Sequence, residues 1–522
     1  MAYQKTSVPY EATNRFSKLF TDYAAQNPKL ASFHSGWPDK ESLNLLLERR
    51  MKEFSSAQRE ILCSVLDSGM KSGREHEAQF QNLSLLKNQN TFSVSCGHQL
   101  SVAGGPMYMA FKILSTIKLS QELKSMFPEK DFVPIFWMAS EDHDLEEIQS
   151  FRFFSQAYRI EIKGEGAVGQ LSCEGIENQL LEIKDFPAEM ASAYQSSNSL
   201  AEASRNWLNH YFGKYGILIL EPDNKELKAC FLPEMLAEIE GNQVQFAIEK
   251  QTAALELLGY EAQIHARDLN LFYLGEGIRT RLVRDENGIS CHDGSLKWSL
   301  EETRKYFQNH PEQLSPNVCL RPSYSQKVLP DLAFIGGPAE ISYWLQLKPV
   351  FDNAGIPFPI LVPRFSAMVV SSSRASKLEK LGFKPEDLFT DESVLRRKLA
   401  LGEDDFSLPE LQLVYSTLLE KAASTDSTLV PALQAEIVRM EKMAEGMQKR
   451  IRKAAEQKEE LRIKQLLGIL EYFLPGGGLL ERSESWLSQV SQDPQWLDKV
   501  LETINPLEMA FAILLQGESK NL

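Results

Sequence analysis

The sequence predicts an α/β protein whose core is a mainly parallel, doubly wound sheet, followed by an α-helical coiled-coil hairpin. The core is predicted because short apolar runs typical of buried strands alternate with longer amphipathic stretches typical of helices. The hairpin is predicted because apolar residues recur at spacings of four and three beyond about residue 405.

The predicted strands are apolar runs bounded by polar residues, prolines or glycines. They are "TFSVS", "DFVPIFWMAS", "YGILILEPD", "DLAFIGG" and "FPILVPRF", with "FRFFSQAYRIEIK" as a further candidate. Amphipathic helices separate them, as in the stretch from about Met107 that follows the first strand. This alternation favours parallel pairing, because parallel strands need a long crossover connection.

Changes in hydrophobic periodicity and in the frequency of turn residues divide the chain into six predicted segments. They are an N-terminal helical region (1–90), the first part of the core with a helical insertion (91–265), a β-rich insertion (266–315), the second part of the core (316–400), the coiled-coil hairpin (405–475) and a C-terminal helical segment (476–522). The β-rich insertion is predicted because its short alternating runs are broken by Glu-Gly, Glu-Asn-Gly and Asp-Gly, which favour tight hairpin turns.

The overall composition argues against several classes of protein. The 522 residues include 56 Lys and Arg against 71 Asp and Glu, a net charge of −15, whereas non-specific nucleic-acid binding depends on neutralising phosphates. The six cysteines show neither CxxC nor Cys/His ligand spacing, so neither a zinc module nor a disulfide scaffold is predicted. The start lacks an apolar signal core, and no apolar run is long enough to cross a bilayer. We therefore expect a cytoplasmic protein.

Two helices make up the predicted hairpin. The first carries Leu411, Tyr415, Leu418 and Ala422 on one face. The second carries a seam of Leu433, Ile437, Met440, Ala444, Met447, Ile451 and Ala454. Such a seam can pack within the hairpin, recruit a second chain, or do both, and a homodimer is expected. The basic residues near its end alternate with Glu, which indicates a solvated face rather than a nucleic-acid site.

The stretch "PIFWMASEDHDLEEI" ends a buried strand with four consecutive polar residues. These residues, Glu141, Asp142, His143 and Asp144, stand where ligands bind in open parallel sheets, at the carboxyl end of a strand. One aspartate is expected to cap the helix that starts near Leu145. Capping does not account for the other residues, so we interpret the cluster as a functional site. Its spacing does not match HExxH-type motifs, so a metal site is not predicted.

The tripeptide Gly-Gly-Pro occurs twice, at Gly104–Pro106 and Gly336–Pro338, each time before a helix. Proline fits the first helical turn, and glycine lets a ligand approach the backbone. Helix N-termini of this kind attract phosphate or carboxylate, so the pair predicts a divided anion site. A third glycine motif, "GEGAVG", matches GxGxxG but does not open a helix directly, so a nicotinamide-dependent enzyme is not predicted.

Basic residues around the second Gly-Gly-Pro are candidate ligands for anions. Arg321 and Arg364 both stand beside prolines, and Lys327 follows Arg321 in the same segment. Arginine forks suit carboxylates, although pairing with local acids is the structural alternative for each residue. Cys96 has no evident base partner in the sequence, so we expect a buried thiol rather than a nucleophile.

Several motifs together resemble the cysteine-adding enzyme family of bacillithiol synthesis, the BshC family of cysteine ligases. They are "GHQ…GGPMYMAFK", "PIFWMASEDHDLEEI", "SPNVCLRP", "LPDLAFIGGPAEISYWLQLKPVF", "LVPRFS" and "LPGGGLLER", which occur in order over nearly the whole chain. In this family the first motif often reads Thr-Gly-Gln-Gln, where this chain has Cys-Gly-His-Gln at 96–99. The resemblance implies a Rossmann-like core with connecting insertions, similar to class I aminoacyl-tRNA synthetases, and a coiled-coil domain used for dimerisation.

The resemblance also implies the reaction. A ligase would join the carboxyl group of L-cysteine to the amine of glucosaminyl-malate in the last step of bacillithiol synthesis. Amide formation from a free carboxylate is uphill in water, so we expect activation by ATP, as a phosphate or an adenylate. The glycine-rich helix starts and Lys112 are expected to supply positive potential. His143 is the expected base, because imidazole titrates near neutral pH.

The remaining candidates are expected to hold substrate groups. Glu141 and Asp142 would hold the cysteine ammonium. Arg321, Lys327 or Arg364 would hold the malyl carboxylates. The candidate catalytic residues are therefore Glu141, Asp142, His143 and Asp144. The candidate residues for substrate or nucleotide binding are Gly97, His98, Gln99, Gly104, Gly105, Lys112, Arg321, Lys327, Gly336, Gly337, Glu340, Tyr343 and Arg364.

The residues leave two other functions open. One is a nucleotidyl transferase or a metal-dependent hydrolase on the same fold, with the acidic cluster holding a divalent ion. The other is a non-catalytic scaffold that binds a sugar metabolite and organises partner enzymes. Scaffolding alone does not require a polar cluster beside two turns suited to anions, so the ligase is the favoured function.

Overall fold

The computed structural model describes residues 3–70, 73, 75–142, 144–286, 288–402 and 409–517. These residues form two compact units. The larger unit combines the described residues up to Met368 with those from Gly478 onward, and the smaller unit is Val369–Gly477.

The secondary structure mixes strands and helices along the chain. The strands are β1 (Tyr3–Val8), β2 (Thr91–Gln99), β3 (Asp131–Ala139), β4 (Ser150–Phe153), β5 (Gln156–Arg159), β6 (Leu218–Leu220), β7 (Leu271–Gly275), β8 (Ile278–Asp285), β9 (Gly288–Cys291), β10 (Lys297–Trp298), β11 (Leu314–Pro316), β12 (Asp331–Gly336), β13 (Ile360–Pro363), β14 (Ser366–Val370) and β15 (Phe511–Gln516). The helices are α1 (Lys18–Ala24), α2 (Lys40–Glu53), α3 (Ser56–Gly69), α4 (Glu77–Leu86), α5 (Met107–Met126), α6 (Leu145–Gln149), α7 (Ile176–Leu181), α8 (Ala188–Gln195), α9 (Leu200–Phe212), α10 (Lys225–Glu240), α11 (Gln243–Leu257), α12 (Leu300–Asn309), α13 (Arg321–Val328), α14 (Pro338–Ala354), α15 (Ser372–Leu381), α16 (Glu392–Leu401), α17 (Pro409–Thr425), α18 (Val430–Lys458), α19 (Glu460–Phe473), α20 (Leu487–Gln492) and α21 (Trp496–Thr503).

The core of the larger unit is a parallel sheet with the strand order β13-β12-β2-β3-β6. In β3, the residues from Phe132 to Ala139 are all buried, without alternation, as expected for a parallel strand covered on both faces. Pro134 lacks an N–H donor but lies within the sheet, opposite Val94 of β2, and β6 begins its pairing with β3 one residue later, at Ile135. The predicted mainly parallel sheet is confirmed.

The chain builds this sheet outward from β2 in two directions. It first adds β3 and β6 on one side, and later adds β12 and β13 on the other. The direction changes between β2 and β12, and in open α/β sheets the ligand crevice lies outside the carboxyl ends of the strands at such a switch point. On each side of this point the strand ends are paired, Gln99 of β2 with Ala139 of β3 and Gly336 of β12 with Pro363 of β13. The fold itself therefore indicates where the site lies.

A second sheet, with the order β10-β9-β8-β7-β11, is antiparallel and spans residues 271–316. It lies where the sequence predicts a β-rich insertion. β7 and β8 are joined by a tight turn in which Gly277 has a φ of 64°, a left-handed conformation that glycine adopts readily. Phe272 of β7 and Arg279 of β8 lie close to the carboxyl edge of the parallel sheet.

A third sheet differs from the prediction for both ends of the chain, which were expected to be helical. β1 pairs antiparallel with β15, with Tyr3 opposite Gln516, and β15 lies between β1 and β14. The pairing joins segments about 500 residues apart, so no local pattern in either segment indicates its partner. The candidate strand "FRFFSQAYRIEIK" also differs, because it forms the separate hairpin β4–β5 and not a strand of the parallel sheet.

The smaller unit is helical. Helices α17 and α18 form a hairpin through a short turn, and Tyr415 and Ile437 are buried there. The side chain of Leu411 lies outside the described residues. Toward the C-terminal half of α18 the apolar seam becomes exposed, with 58% of Met447 and 43% of Ile451 accessible to solvent. Throughout the described part of the chain, no helix is both long and apolar enough to cross a membrane.

Candidate functional site

A cleft of about 630 Å³ opens at the carboxyl ends of β2, β3 and β12. Its floor includes the last residues of β2, and the loop after β3 and the start of α14 form two of its walls. The antiparallel sheet contributes Phe272 of β7 and Arg279 of β8. The cleft therefore lies at the topological switch point, where this fold class binds ligands.

The structure brings most of the predicted site residues to this cleft. Those that line it are Gly97, His98, Gln99, Lys112, Glu141, Asp142, Arg321, Gly337, Glu340, Tyr343 and Arg364. Those that do not are Gly104, Gly105, Asp144, Lys327 and Gly336. His143 lies outside the described residues, so its predicted role as a base stays a prediction.

An ion pair between a buried lysine and a half-buried glutamate joins the two sides of the switch point. The ammonium of Lys112 on α5 donates to the carbonyl oxygen of Gly97, at 2.8 Å, and contacts the carboxylate of Glu340 on α14. Glu340 also accepts a hydrogen bond from the backbone N–H of Gly337, at 2.8 Å, which caps α14. Burial alone would raise the pKa of Glu340, but the charge and hydrogen bond of Lys112 lower it overall. The pair keeps Glu340 ionised beside the second Gly-Gly-Pro turn.

The carboxylate of Glu141 is held by a lysine from another element. Lys228 of α10 approaches Glu141 Oε1 to 2.5 Å and Asp223 Oδ1 to 2.6 Å, and its side chain is 0% exposed. Burial raises the pKa of Glu141, and Lys228 opposes that effect only in part. The resulting cluster of one cation and two carboxylates lies directly beside the cleft.

Asp142 connects β2 with the antiparallel sheet. The side-chain amide of Gln99 donates to Asp142 Oδ2, at 2.6 Å, and the guanidinium of Arg279 lies 4.0 Å from Asp142 Oδ1. Arg279 also stacks over the ring of Phe272, with 4.0 Å from its central carbon to the ring centroid. These contacts fix an acid and a guanidinium side by side in the cleft wall.

Arg321 is a second guanidinium in the cleft. It is the first residue of α13, and it interacts with the phenol of Tyr343 and the carboxylate of Asp142. Burial would lower the pKa of Arg321, but the interactions with Tyr343 and nearby acids raise it overall. Arg321 and Arg279 therefore present two fixed positive charges to one cleft, a suitable environment for a ligand with carboxylates or phosphates.

His98 is neutral in this environment. Burial and the nearby charge of Lys112 lower its pKa to about 4. Its Nδ1 lies 3.0 Å from the carbonyl oxygen of Gln99, which can only accept, so Nδ1 carries the hydrogen. Nε2 then accepts from the hydroxyl of Tyr108, at 3.1 Å. His98 therefore fixes the orientation of Tyr108 and does not act as a cation.

Arg364 lines the cleft, but its guanidinium is engaged within the protein. It forms a two-pronged pair with Glu481, at 2.7 and 3.3 Å, and both side chains are buried. It also donates to Ser366 Oγ, at 3.0 Å, and stacks over Tyr108. These contacts differ from the predicted role in binding malyl carboxylates, because they leave Arg364 as a wall of the cleft.

The first Gly-Gly-Pro turn also differs from the prediction, because it does not reach the cleft. The indole of Trp486 donates to the carbonyl oxygen of Gly104, at 2.8 Å, and packs against its Cα. Gly105 packs against Ser101, and both glycines have φ values near 70°. The turn requires glycine for close packing and left-handed geometry, not for an anion. The predicted divided anion site is therefore reduced to the second turn.

Three other predicted residues have structural partners away from the cleft. Asp144 Oδ1 accepts from the backbone N–H of Glu147, at 3.0 Å, which confirms that one aspartate caps the helix. Lys327 pairs with Glu234 of α10, at 2.7 Å. Gly336 is the last residue of β12, and its carbonyl accepts from the N–H of Arg364.

Sequence reasoning missed Lys228, Arg279 and Tyr108. Lys228 lies about one helical turn before Phe231, on the same buried face of α10 as Phe231 and Met235. A lysine at an apolar position of an amphipathic helix is a sequence pattern that could have indicated a buried cation. Arg279 had no such signal, because arginines recur along β8 in an insertion expected to expose one face.

Two predictions about other chemistry can be compared with the structure. Cys96 is completely buried, and burial raises its pKa to about 12, which does not suit a nucleophile. Among the residues that the structure describes, no group of three or more His, Cys, Asp and Glu side chains is arranged to hold a metal ion.

Comparison with known proteins identifies close relatives along the whole chain. The family model for "Bacillithiol biosynthesis BshC, N-terminal Rossmann-like domain" matches residues 1–365, and that for its "C-terminal coiled-coil domain" matches residues 367–516. The "Putative cysteine ligase BshC" of Cytophaga hutchinsonii is 35% identical and covers 97% of this chain and 98% of its own length. Proteins of the same name from Christiangramia forsetii and Flavobacterium johnsoniae are 33% and 31% identical, over 98% and 97% of this chain and 99% of each relative. The Rossmann-like core and the coiled-coil domain implied by the resemblance are confirmed.

Proposed function

Because this chain belongs to the BshC family of bacillithiol biosynthesis, we propose that it is a ligase that adds L-cysteine to glucosaminyl-malate. The carboxyl group of cysteine forms an amide with the amine of the sugar, in the last step of bacillithiol synthesis. The relatives named as cysteine ligases match nearly the full length of the chain, so the similarity includes both the Rossmann-like core and the coiled-coil domain.

One observation carries the proposal beyond the family name. The cleft at the switch point presents guanidinium groups and carboxylates within the same space. Cysteine brings an ammonium and a carboxylate, and glucosaminyl-malate brings an amine and two carboxylates. Arg321 and Arg279 suit the malyl carboxylates, and Glu141 and Asp142 suit the cysteine ammonium. A cleft lined by charged groups of only one sign would not suit both substrates, because each substrate carries cationic and anionic groups.

Activation of the cysteine carboxylate is proposed to use ATP. The cations that line the cleft, Lys112 among them, are the groups that would face its phosphates. The second Gly-Gly-Pro turn offers a helix start at Gly337, although Glu340 accepts its N–H and would have to share that donor. The nucleotide would supply the leaving group that makes amide formation favourable. The sequence-based choice for the base that removes a proton from the amine is His143.

The metal-dependent alternatives are less well supported. Asp144 caps α6 and does not line the cleft, so one of the carboxylates that a divalent ion would need has a structural role instead. A non-catalytic scaffold is disfavoured by the charged cleft, since scaffolding does not require it.

We also propose a cytoplasmic homodimer. The exposed apolar residues of α18, which include Met443, Met447 and Ile451, suit packing against the same helix of a second copy. Each of the six cysteines, all within the described residues, has a free thiol, which suits a reducing compartment.

The experiment that tests the ligase is a reconstitution with purified protein, cysteine, glucosaminyl-malate and ATP. We expect bacillithiol by mass spectrometry, with release of either ADP and phosphate or AMP and pyrophosphate. The nucleotide product distinguishes a phosphate from an adenylate intermediate. In cells, deletion of the gene should deplete bacillithiol and accumulate glucosaminyl-malate. Unchanged bacillithiol in the deletion strain would contradict the proposal.

A further inference from the structure

Lys228 is an internal cation with no access to solvent. Its side chain is 0% exposed, and its ammonium donates to Asp223 Oδ1 at 2.6 Å and to the carbonyl oxygen of Glu312 at 2.8 Å, and lies 2.5 Å from Glu141 Oε1. An ammonium has three hydrogens, and these contacts can use all of them. Because its side chain is 0% exposed, Lys228 does not reach a substrate directly.

The three partners come from separate parts of the larger unit. Glu141 follows β3, Asp223 follows β6, and Glu312 lies just before β11 of the antiparallel sheet. Only Glu141 of these three lines the cleft. Lys228 therefore reaches the cleft only through the carboxylate of Glu141, and any effect on the reaction passes through that group.

Lys228 keeps its charge despite burial. Removal from water disfavours the ammonium and would lower its pKa, but the charges of Glu141 and Asp223 raise the pKa of Lys228 overall. A buried lysine that stays protonated is a fixed positive charge.

The charge of Glu141 depends on this cation. Burial raises the pKa of Glu141, and the carboxylate of Asp223 adds to the increase. Lys228 lowers that pKa most among the facing groups, followed by Arg279 of β8. Tyr324 of α13 also faces the cluster, but burial and the two carboxylates raise its pKa well above the usual value, so it stays neutral.

We propose that Lys228 is a positioning residue, which holds the Glu141 carboxylate ionised and correctly oriented so that the cleft can accept the ammonium of the amino-acid substrate. This inference rests on the proposed function, because the substrate ammonium is that of cysteine. It assigns to a fully buried lysine of α10 a role in substrate binding without substrate contact.

The competing explanation is that Lys228 only braces the fold through Glu312. The two explanations differ in pH dependence. A brace would change the stability of the protein and lower activity equally at every pH. A residue that keeps Glu141 ionised would instead change the pH at which activity appears, because the acid limb of kcat/KM reports an essential group of the free enzyme.

The test compares Lys228→Met, Lys228→Arg and Glu141→Gln in the cysteine ligase assay from pH 5 to pH 9. In K228M we expect the acid limb of kcat/KM for cysteine to move upward by about one pH unit, so that kcat/KM falls by about tenfold at pH values on that limb, since one pKa unit is a tenfold change in ionisation. Because the loss reflects protonated Glu141, activity should recover in part at high pH. E141Q should lack this limb, and K228R should retain it at the wild-type pH.

Lys225→Met is the matched control. Lys225 is an exposed residue of the same helix, and its ammonium lies 3.4 Å from the carboxylate of Glu312. The K225M variant therefore removes a lysine that contacts Glu312 but leaves the contacts of Glu141 unchanged. We expect its profile to match that of the wild type.

The outcomes separate the two levels of the proposal. Absence of product with the wild-type protein would overturn the ligase function itself. An active wild type with an unshifted acid limb in K228M would overturn only the role of Lys228. If K228M does not fold, K228R carries the test, because it keeps the charge while changing the shape. A moved acid limb in K228R would contradict the proposal.

Discussion

The ammonium of Lys112 contacts the carboxylate of Glu340 across the point where the central sheet changes direction. Lys112 belongs to the helix after β2, and Glu340 to the helix after β12. The same lysine binds the carbonyl of Gly97, and the same glutamate caps its own helix at Gly337. One ion pair therefore fixes the two strand ends that define the cleft.

Breaking this pair should destabilise the larger unit. Lys112→Met leaves a partly buried carboxylate without its cation, and an unsatisfied group of this kind typically costs about 1–3 kcal/mol. Glu340→Gln keeps a side chain that can cap the helix, so the double variant should be more stable than K112M alone. Urea denaturation of the single and double variants measures the coupling. Additive effects of the two substitutions would show that the ion pair contributes nothing.

The neutral state of His98 predicts a pH dependence of stability. Its pKa is lowered from 6.5 to about 4, so between those pH values the unfolded chain binds a proton that the folded protein does not. Stability should therefore rise with pH across this window. His98→Gln should make the rise less steep while still accepting from Tyr108. Urea denaturation from pH 4 to 7 measures this, and His292→Gln, on an exposed turn, controls for loss of an imidazole. An unchanged slope in H98Q would exclude the contribution of His98.

The two guanidinium groups predict a selective effect on one substrate. Arg321→Ala removes a fork suited to the malyl carboxylates, so KM for glucosaminyl-malate should rise by about tenfold to a hundredfold, since hydrogen bonds to charged groups contribute about 1.5–3 kcal/mol. KM for cysteine should change much less. Steady-state kinetics with each substrate varied in turn makes the comparison. Arg304→Ala is the control, because Arg304 is exposed and pairs with Glu240 outside the cleft. An equal rise in both KM values would contradict the assignment.

The exposed seam of α18 predicts a concentration-dependent assembly. Met447→Glu places a charge on an apolar position that is 58% exposed, and in a coiled-coil interface that charge would be buried without a partner. We expect the wild type to sediment as a dimer and M447E as a monomer. Lys449→Glu changes the charge of the same helix away from the seam and should remain dimeric. A monomeric wild type would exclude the homodimer.

The sequence predicts those parts of the structure that have a local signature. The buried strand before Glu141 and the strand before Gly337 are visible as apolar runs, and the fold class then gives the edge at which the site lies. The capping role of an aspartate follows from its position before a helix. These inferences are possible because an apolar run and a capping side chain can both be recognised from residues that are adjacent in the sequence.

Long-range pairing explains what the sequence could not predict. Trp486 occupies the first Gly-Gly-Pro turn, and Glu481 engages Arg364, although each partner is more than a hundred residues away. A glycine turn that packs on an indole and one that faces a ligand have the same local pattern. Lys228 and Arg279 likewise acquire their partners only when β3, β6 and the antiparallel sheet come together.

The order of strands in the third sheet has a consequence for synthesis of the protein. β15 occupies the middle of that sheet, between β1 and β14, yet it is the last of the three to leave the ribosome. During translation β1 and β14 are synthesised before their common neighbour, so each has unpaired backbone N–H and C=O groups on one edge until β15 is made. Completion of this sheet therefore requires the synthesis of β15, and a nascent chain stalled before residue 511 would expose two edges to chaperones or to other chains.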